Sequence, residues 1–160
     1  MLRTMDEEIK LESPAFSYGG GIPEKYTSDG EDINPPLRIS GVSEQAKSLV
    51  LIMDDPDAAT DPDGPGKTFD HWIIFNIDPD TTYIDEGSVP AEAIQGRNGM
   101  GQSKYIGPAP PNGVHRYFFY LYELSDRLNL DKSATKDELL KAIEPLIIAK
   151  TELIGKYQKA

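Results

Sequence analysis

A chain of 160 residues with 38% hydrophobic content is long enough to bury a core, and it reads as one globular domain spanning 1–160. Its 27 acidic against 16 basic residues leave a net charge of −11, which repels nucleic-acid phosphates and anionic lipid surfaces, so neither is expected as a partner. With no cysteine, disulfides, zinc–thiolate centres and thiol nucleophiles are excluded as well.

Residues 1–8 lack the apolar stretch of a signal peptide, and no run approaches the ~20 apolar residues of a membrane span. A cytoplasmic protein without a transmembrane segment is therefore expected. Thirteen prolines and 14 glycines imply many turns and lean toward β architecture. Residues 9–12 alternate apolar and polar, as an edge strand does. Residues 17–36 are turn-rich, punctuated by Gly19-Gly20-Gly21, Ser28-Asp29-Gly30 and Asn34-Pro35-Pro36. Either proline bond there is compatible with a cis or a trans state. Short strands are expected at 37–40 and 93–96, and stronger ones at 48–54, 71–77 and 116–124. The last of these is apolar or aromatic on both alternating sets, as a strand covered on two faces is.

The period then changes. Thr135-Lys136-Asp137-Glu138 matches a capping box. Leu139, Leu140, Ile143, Leu146, Ile147, Ile154 and Tyr157 follow at three- and four-residue steps, predicting a C-terminal helical segment kinked or split at Pro145. Strands followed by helix give a mainly β, antiparallel sandwich or barrel-like core with a helix packed at its end.

The chain has only two histidines, and each opens an apolar run: His71 before Trp72-Ile73-Ile74-Phe75, His115 before Arg116-Tyr117-Phe118-Phe119. A third run, residues 49–53, exits into Asp54-Asp55-Pro56-Asp57. Strands that begin or end in such groups bring them to one rim of a sheet. A lone histidine beside an aromatic is most often a satisfied structural residue, and an isolated Asp-Pro-Asp is most often a solvated turn. The joint placement is what points to a site. Asp55 is preferred as the carboxylate that orients an imidazole, because it directly follows a strong strand, but the second copy at Asp61-Pro62-Asp63 remains an alternative. Residues 105–113 form a loop stiffened by prolines, in which Gly107 and Gly113 permit close approach of backbone to a ligand. Arg116 is expected to pair with a carboxylate. Such a rim suits a small anion, bound more tightly as pH falls if imidazolium is the donor. No EF-hand spacing and no Gly-x-Ser-x-Gly elbow occurs.

Ser13-Pro14-Ala15-Phe16, Ile22-Pro23-Glu24-Lys25-Tyr26-Thr27, the stretch from Asp29 through Leu37, Asp54-Asp55-Pro56-Asp57-Ala58, His71-Trp72 and the stretch from Tyr105 through Tyr117 together resemble the phosphatidylethanolamine-binding protein family. The branch is the bacterial and archaeal, Raf-kinase-inhibitor-like one. The resemblance covers nearly the whole chain. It implies a β-sandwich with a small anion-binding cavity near one surface, and regulation of protein kinases or proteases in some members. Carried onto matching positions, it implies a ligand pocket built from Asp55, Asp57, His71, Gly107, Pro110, Pro111, Gly113, His115 and Tyr117, and a homodimer. The chain departs from the family where Ala59 replaces a proline and extra residues run through Lys67, and where Ser28 and Ala109 stand for cysteines common in prokaryotic relatives.

The leading expectation is a non-enzymatic protein, without metal or cofactor, that binds a phosphate-like or phospholipid-headgroup anion and has a regulatory role. The alternatives are an inhibitor of a kinase or serine protease, and a metal-dependent or acid–base enzyme using the His/Asp cluster; for iron, two histidines and an aspartate would form a facial triad.

Overall fold

The computed structural model describes residues 8–159, so the first seven residues, including most of the stretch read as lacking a leader, lie outside it. The strands are β1 (Lys10–Glu12), β2 (Leu37–Ser40), β3 (Ser48–Asp55), β4 (Phe69–Ile77), β5 (Tyr83–Ile84), β6 (Ile94–Gln95) and β7 (Val114–Leu124). Helix α1 (Lys136–Ile143) and strand β8 (Ile147–Gln158) complete the chain. Two antiparallel sheets result, one in the order β1-β2-β5 and one in the order β6-β4-β3-β7-β8. Residues 83–84 carry a strand that the sequence pattern did not single out.

Every residue of β3 is buried. Leu49, Leu51 and Met53 join one apolar cluster with Leu37, Ile39, Trp72, Tyr117 and Phe119, while Val50 and Ile52 join another with Ile73, Phe75, Leu139 and Ile143. The two-residue period of a strand thus feeds a core on each side of the large sheet. The strands covered on both faces are β3 and, over residues 71–77, β4, rather than β7. On β7, Tyr117, Phe119 and Leu121 are fully buried, but Phe118, Tyr120 and Tyr122 are only half-buried.

The C-terminal expectation is corrected. Thr135 caps α1 with both halves of the capping box, but the helix stops at Ile143. A short 3-10 turn containing Pro145 follows, and residues 147–158 form β8, not a second helix. Pro145 ends the helix by removing an amide donor, and the β-branched residues after it suit a strand. The long free edge of β7 then offers a ladder from Val114↔Gln158 to Leu124↔Ile147. The outer edge of β8 is covered by the turn-rich segment: Gly19 donates to Ile154, Ile22 donates to Lys156, and Lys156 donates to Gly20. Gly155 makes room for this cover, because a Cβ there would lie 2.5 Å from the Ile22 side chain. The described residues contain no cis peptide bond, so the bonds before Pro35 and Pro36 are trans.

Candidate functional site

Because β3 runs antiparallel to both β4 and β7, its C-terminal end shares a rim with their N-terminal ends. This topology brings Asp55, His71 and His115 together from distant parts of the chain. His115 and Tyr117 lie two residues apart and face the same side of β7. His71 sits where the β3–β4 register slips between Met53↔Trp72 and Asp54↔Asp70, leaving it no cross-strand partner. Such a bulge re-aims a side chain toward the rim.

His115 is nearly sealed and clamped at both nitrogens. Nδ1 lies 2.6 Å from Oδ2 of Asp55 and Nε2 lies 2.8 Å from Oδ2 of Asp61. A neutral imidazole would aim one lone pair at a carboxylate oxygen, so this arrangement calls for the imidazolium, which donates at both ends. Burial acts to lower its pKa, but the hydrogen bonds and charges of Asp55 and Asp61 outweigh it and hold the pKa above the ordinary value. His71 is the opposite case. Its Nδ1 lies 2.6 Å from the Ile106 carbonyl oxygen, which only accepts, so Nδ1 carries the hydrogen and Nε2 is left as an acceptor. Burial pulls its pKa down to about 4, so it is neutral at neutral pH.

Tyr117 lies beneath the pair, its ring 5.2 Å from that of His71 at 78° and 6.5 Å from that of His115 at 27°. Its hydroxyl is fully buried without a hydrogen-bond partner. Burial and the nearby Asp55 charge push its pKa far upward, so it stays neutral.

A cleft of about 420 Å³ opens at this rim, lined by Asp55, His71, Gly107, Pro110, Pro111 and His115 among the expected residues. Phe69, Met100 and Ile106 give it an apolar wall, and Asp32, Asp63 and Lys104 bring charge. Gly107 belongs there for a physical reason: its amide donates to Asp32 over 2.7 Å, and a Cβ would overlap the Asp32 carboxylate and the Tyr26 carbonyl. Three expected residues do not line the cleft. Tyr117 supports the imidazoles from below. Gly113 is exposed with φ 64° at the entrance to β7. Asp57 is turned outward by the 3-10 turn Pro56–Ala59 and accepts from the Arg116 amide (2.7 Å), Nε (3.0 Å) and Nη2 (2.8 Å). That fork fixes the turn to β7, and it gives Arg116 its expected carboxylate.

The two Asp-Pro-Asp copies are not alternatives. Asp55 takes one nitrogen of His115 and Asp61 takes the other. Asn112 completes the cradle, donating its amide to Asp61 Oδ2 (3.0 Å) and its Nδ2 to Asp61 Oδ1 (2.7 Å). The repeat of Asp-Pro-Asp and the Asn-Gly before His115 were the available signals for Asp61 and Asn112, whereas Lys104 and Met100 carry none. Among the described residues, no group of three His, Asp or Glu side chains is placed to hold a metal ion, and no helix is long and apolar enough to cross a membrane.

The sequence profile described as phosphatidylethanolamine-binding protein matches residues 12–158. A UPF0098 protein of Methanothermobacter thermautotrophicus is 46% identical over 156 residues, covering 94% of this chain and 99% of that one. The crystal structure of a phosphatidylethanolamine-binding protein homologue from Chlamydia trachomatis superposes with a TM-score of 0.89 at 43% identity, over 96% of this chain and 99% of that one. E. coli YbcL, described as a member of the mammalian family, superposes with a TM-score of 0.86 at 26% identity and the same coverage. With the profile spanning nearly all of the chain and the relatives matched end to end, this protein belongs to the phosphatidylethanolamine-binding protein family.

Proposed function

We propose that the chain is a non-enzymatic binding module with a regulatory role, whose rim cleft holds a small phosphate-bearing ligand of the phosphomonoester or lipid-headgroup type. One observation carries this reading: the His115 imidazolium, which lines the cleft, and two N–H donors of Asn112 converge on the single negative oxygen pair of Asp61. Charge-assisted donors arranged around one point are what a phosphate oxygen needs. The neutral His71 adds an acceptor at the same cleft, which matches the P–OH of a phosphate monoanion. The carboxylates of Asp32 and Asp63 favour a ligand that also carries an ammonium group, and the wall of Phe69, Met100 and Ile106 favours an apolar portion.

Calorimetric titration with inorganic phosphate and phosphoethanolamine tests the reading. Removing a charged hydrogen-bond donor costs about 2 kcal/mol, so His115→Ala weakens binding by roughly thirtyfold. The protonated form of His115 is the donor, so affinity falls as pH rises through its elevated pKa. Equal affinity in parent and His115→Ala contradicts the proposal.

A further inference from the structure

The loop between the 3-10 turn and β4, residues 60–67, brings one of its own side chains onto His115. Its neighbours Thr60, Pro62 and Asp63 are exposed, yet the Asp61 side chain is only 2% exposed. All four positions on its carboxylate are filled. Oδ2 accepts from His115 Nε2 (2.8 Å) and the Asn112 amide (3.0 Å); Oδ1 accepts from Asn112 Nδ2 (2.7 Å) and the Asp63 amide (3.0 Å). Asp63 adds a second latch, accepting from Asn112 Nδ2 over 2.7 Å. Gly64 lets the loop turn back on itself, since a Cβ there would lie 2.5 Å from the Ala58 carbonyl oxygen. These donors pull the Asp61 pKa down to about 2, led by the Asn112 side chain, so the group is an anion at any physiological pH.

An anion therefore already occupies the donors that a ligand anion would use, and it is supplied by the chain. The clamp of Asp55, His115 and Asp61 carries a net charge of −1, so in this arrangement it repels a second anion. We infer that loop 60–67 is an autoinhibitory strap whose Asp61 carboxylate is a tethered stand-in for the ligand's phosphate, and that ligand binding requires its displacement. The inference rests on the phosphate-binding reading above. A short tether holds its group at an effective concentration in the millimolar range, so free phosphate competes against that concentration at every encounter. The strap sets a threshold below which the His115 and Asn112 donors stay occupied, and only a ligand with further contacts along the apolar wall exceeds it readily.

The test compares inorganic phosphate binding by the parent, Asp61→Ala and Asp61→Asn proteins, together with carbon-detected NMR titration of the Asp61 carboxyl in the parent. The strap predicts at least tenfold tighter phosphate binding by Asp61→Ala, with a smaller gain for Asp61→Asn, which keeps the shape but loses the charge. It also predicts that saturating phosphate returns the Asp61 carboxyl from about 2 to the ordinary aspartate range. Phosphate bound no more tightly by either variant, or an Asp61 titration unmoved by saturating phosphate, overturns the strap. If parent and variants bind equally and His115→Ala loses binding, the strap falls alone. If none of them binds phosphate, the binding reading falls with it.

Discussion

Burial alone would strip the proton from both imidazoles. Two aspartates keep it on His115, while the single carbonyl of Ile106 does not keep it on His71. The second case has a consequence for stability. His71 drops from an ordinary 6.5 to about 4 on folding, so the unfolded chain binds the extra proton between those values. Stability is full above the unfolded value and is lost as pH falls toward the folded one, by about 3 kcal/mol for a shift of this size. Urea unfolding at pH 6.5 and pH 4 measures it. The parent loses roughly that amount beyond the loss shown by His71→Gln, and equal losses in the two proteins contradict the assignment. At this scale the strand pattern was the legible signal: Asp55 ends one strand, while His71 and His115 lie near the starts of two others, which brings all three to one rim. Asp57 was misplaced because a 3-10 turn, invisible in composition, rotates it outward to Arg116. Asp55 does hold His115, and what the sequence left open was that Asp61 joins it, because a loop that folds back can return the second Asp-Pro-Asp copy to the same imidazole.

Among the elements, β8 shows how two periods can coincide. Ile147, Ile154 and Tyr157 fall on a helical stripe, but Ala149, Thr151, Leu153, Gly155 and Tyr157 equally fit alternation, and the open edge of β7 decides between them. A prediction from local spacing has no access to that edge. The capping box, by contrast, is local chemistry and was legible to the residue. The other edge of β8 is held by the segment around Gly20, and Gly155 is the point of closest approach. Gly155→Ala forces Ile22 and Phe16 to shift and destabilises the fold by roughly 1–3 kcal/mol, the usual cost of overpacking a core. Chemical denaturation reads this directly. An unchanged midpoint would mean that residues 19–22 lift away from the strand freely.

Across the whole molecule, antiparallel order turns sequence separation into proximity. Residues 55, 71 and 115 lie far apart along the chain, and they meet only because β3 is flanked on both sides by strands of opposite direction. The mainly β class and the family resemblance were readable in advance from strand patterning and the motifs around the two histidines. The strap was not, because its closure depends on Asn112 reaching across from another loop. A crystal of the protein grown with phosphoethanolamine shows whether the rim cleft takes a phosphate. The expected result is phosphorus density beside Nε2 of His115, with Asp61 moved out of its cradle. Density for the ligand elsewhere, or Asp61 still bound to His115 over an empty cleft, would contradict it.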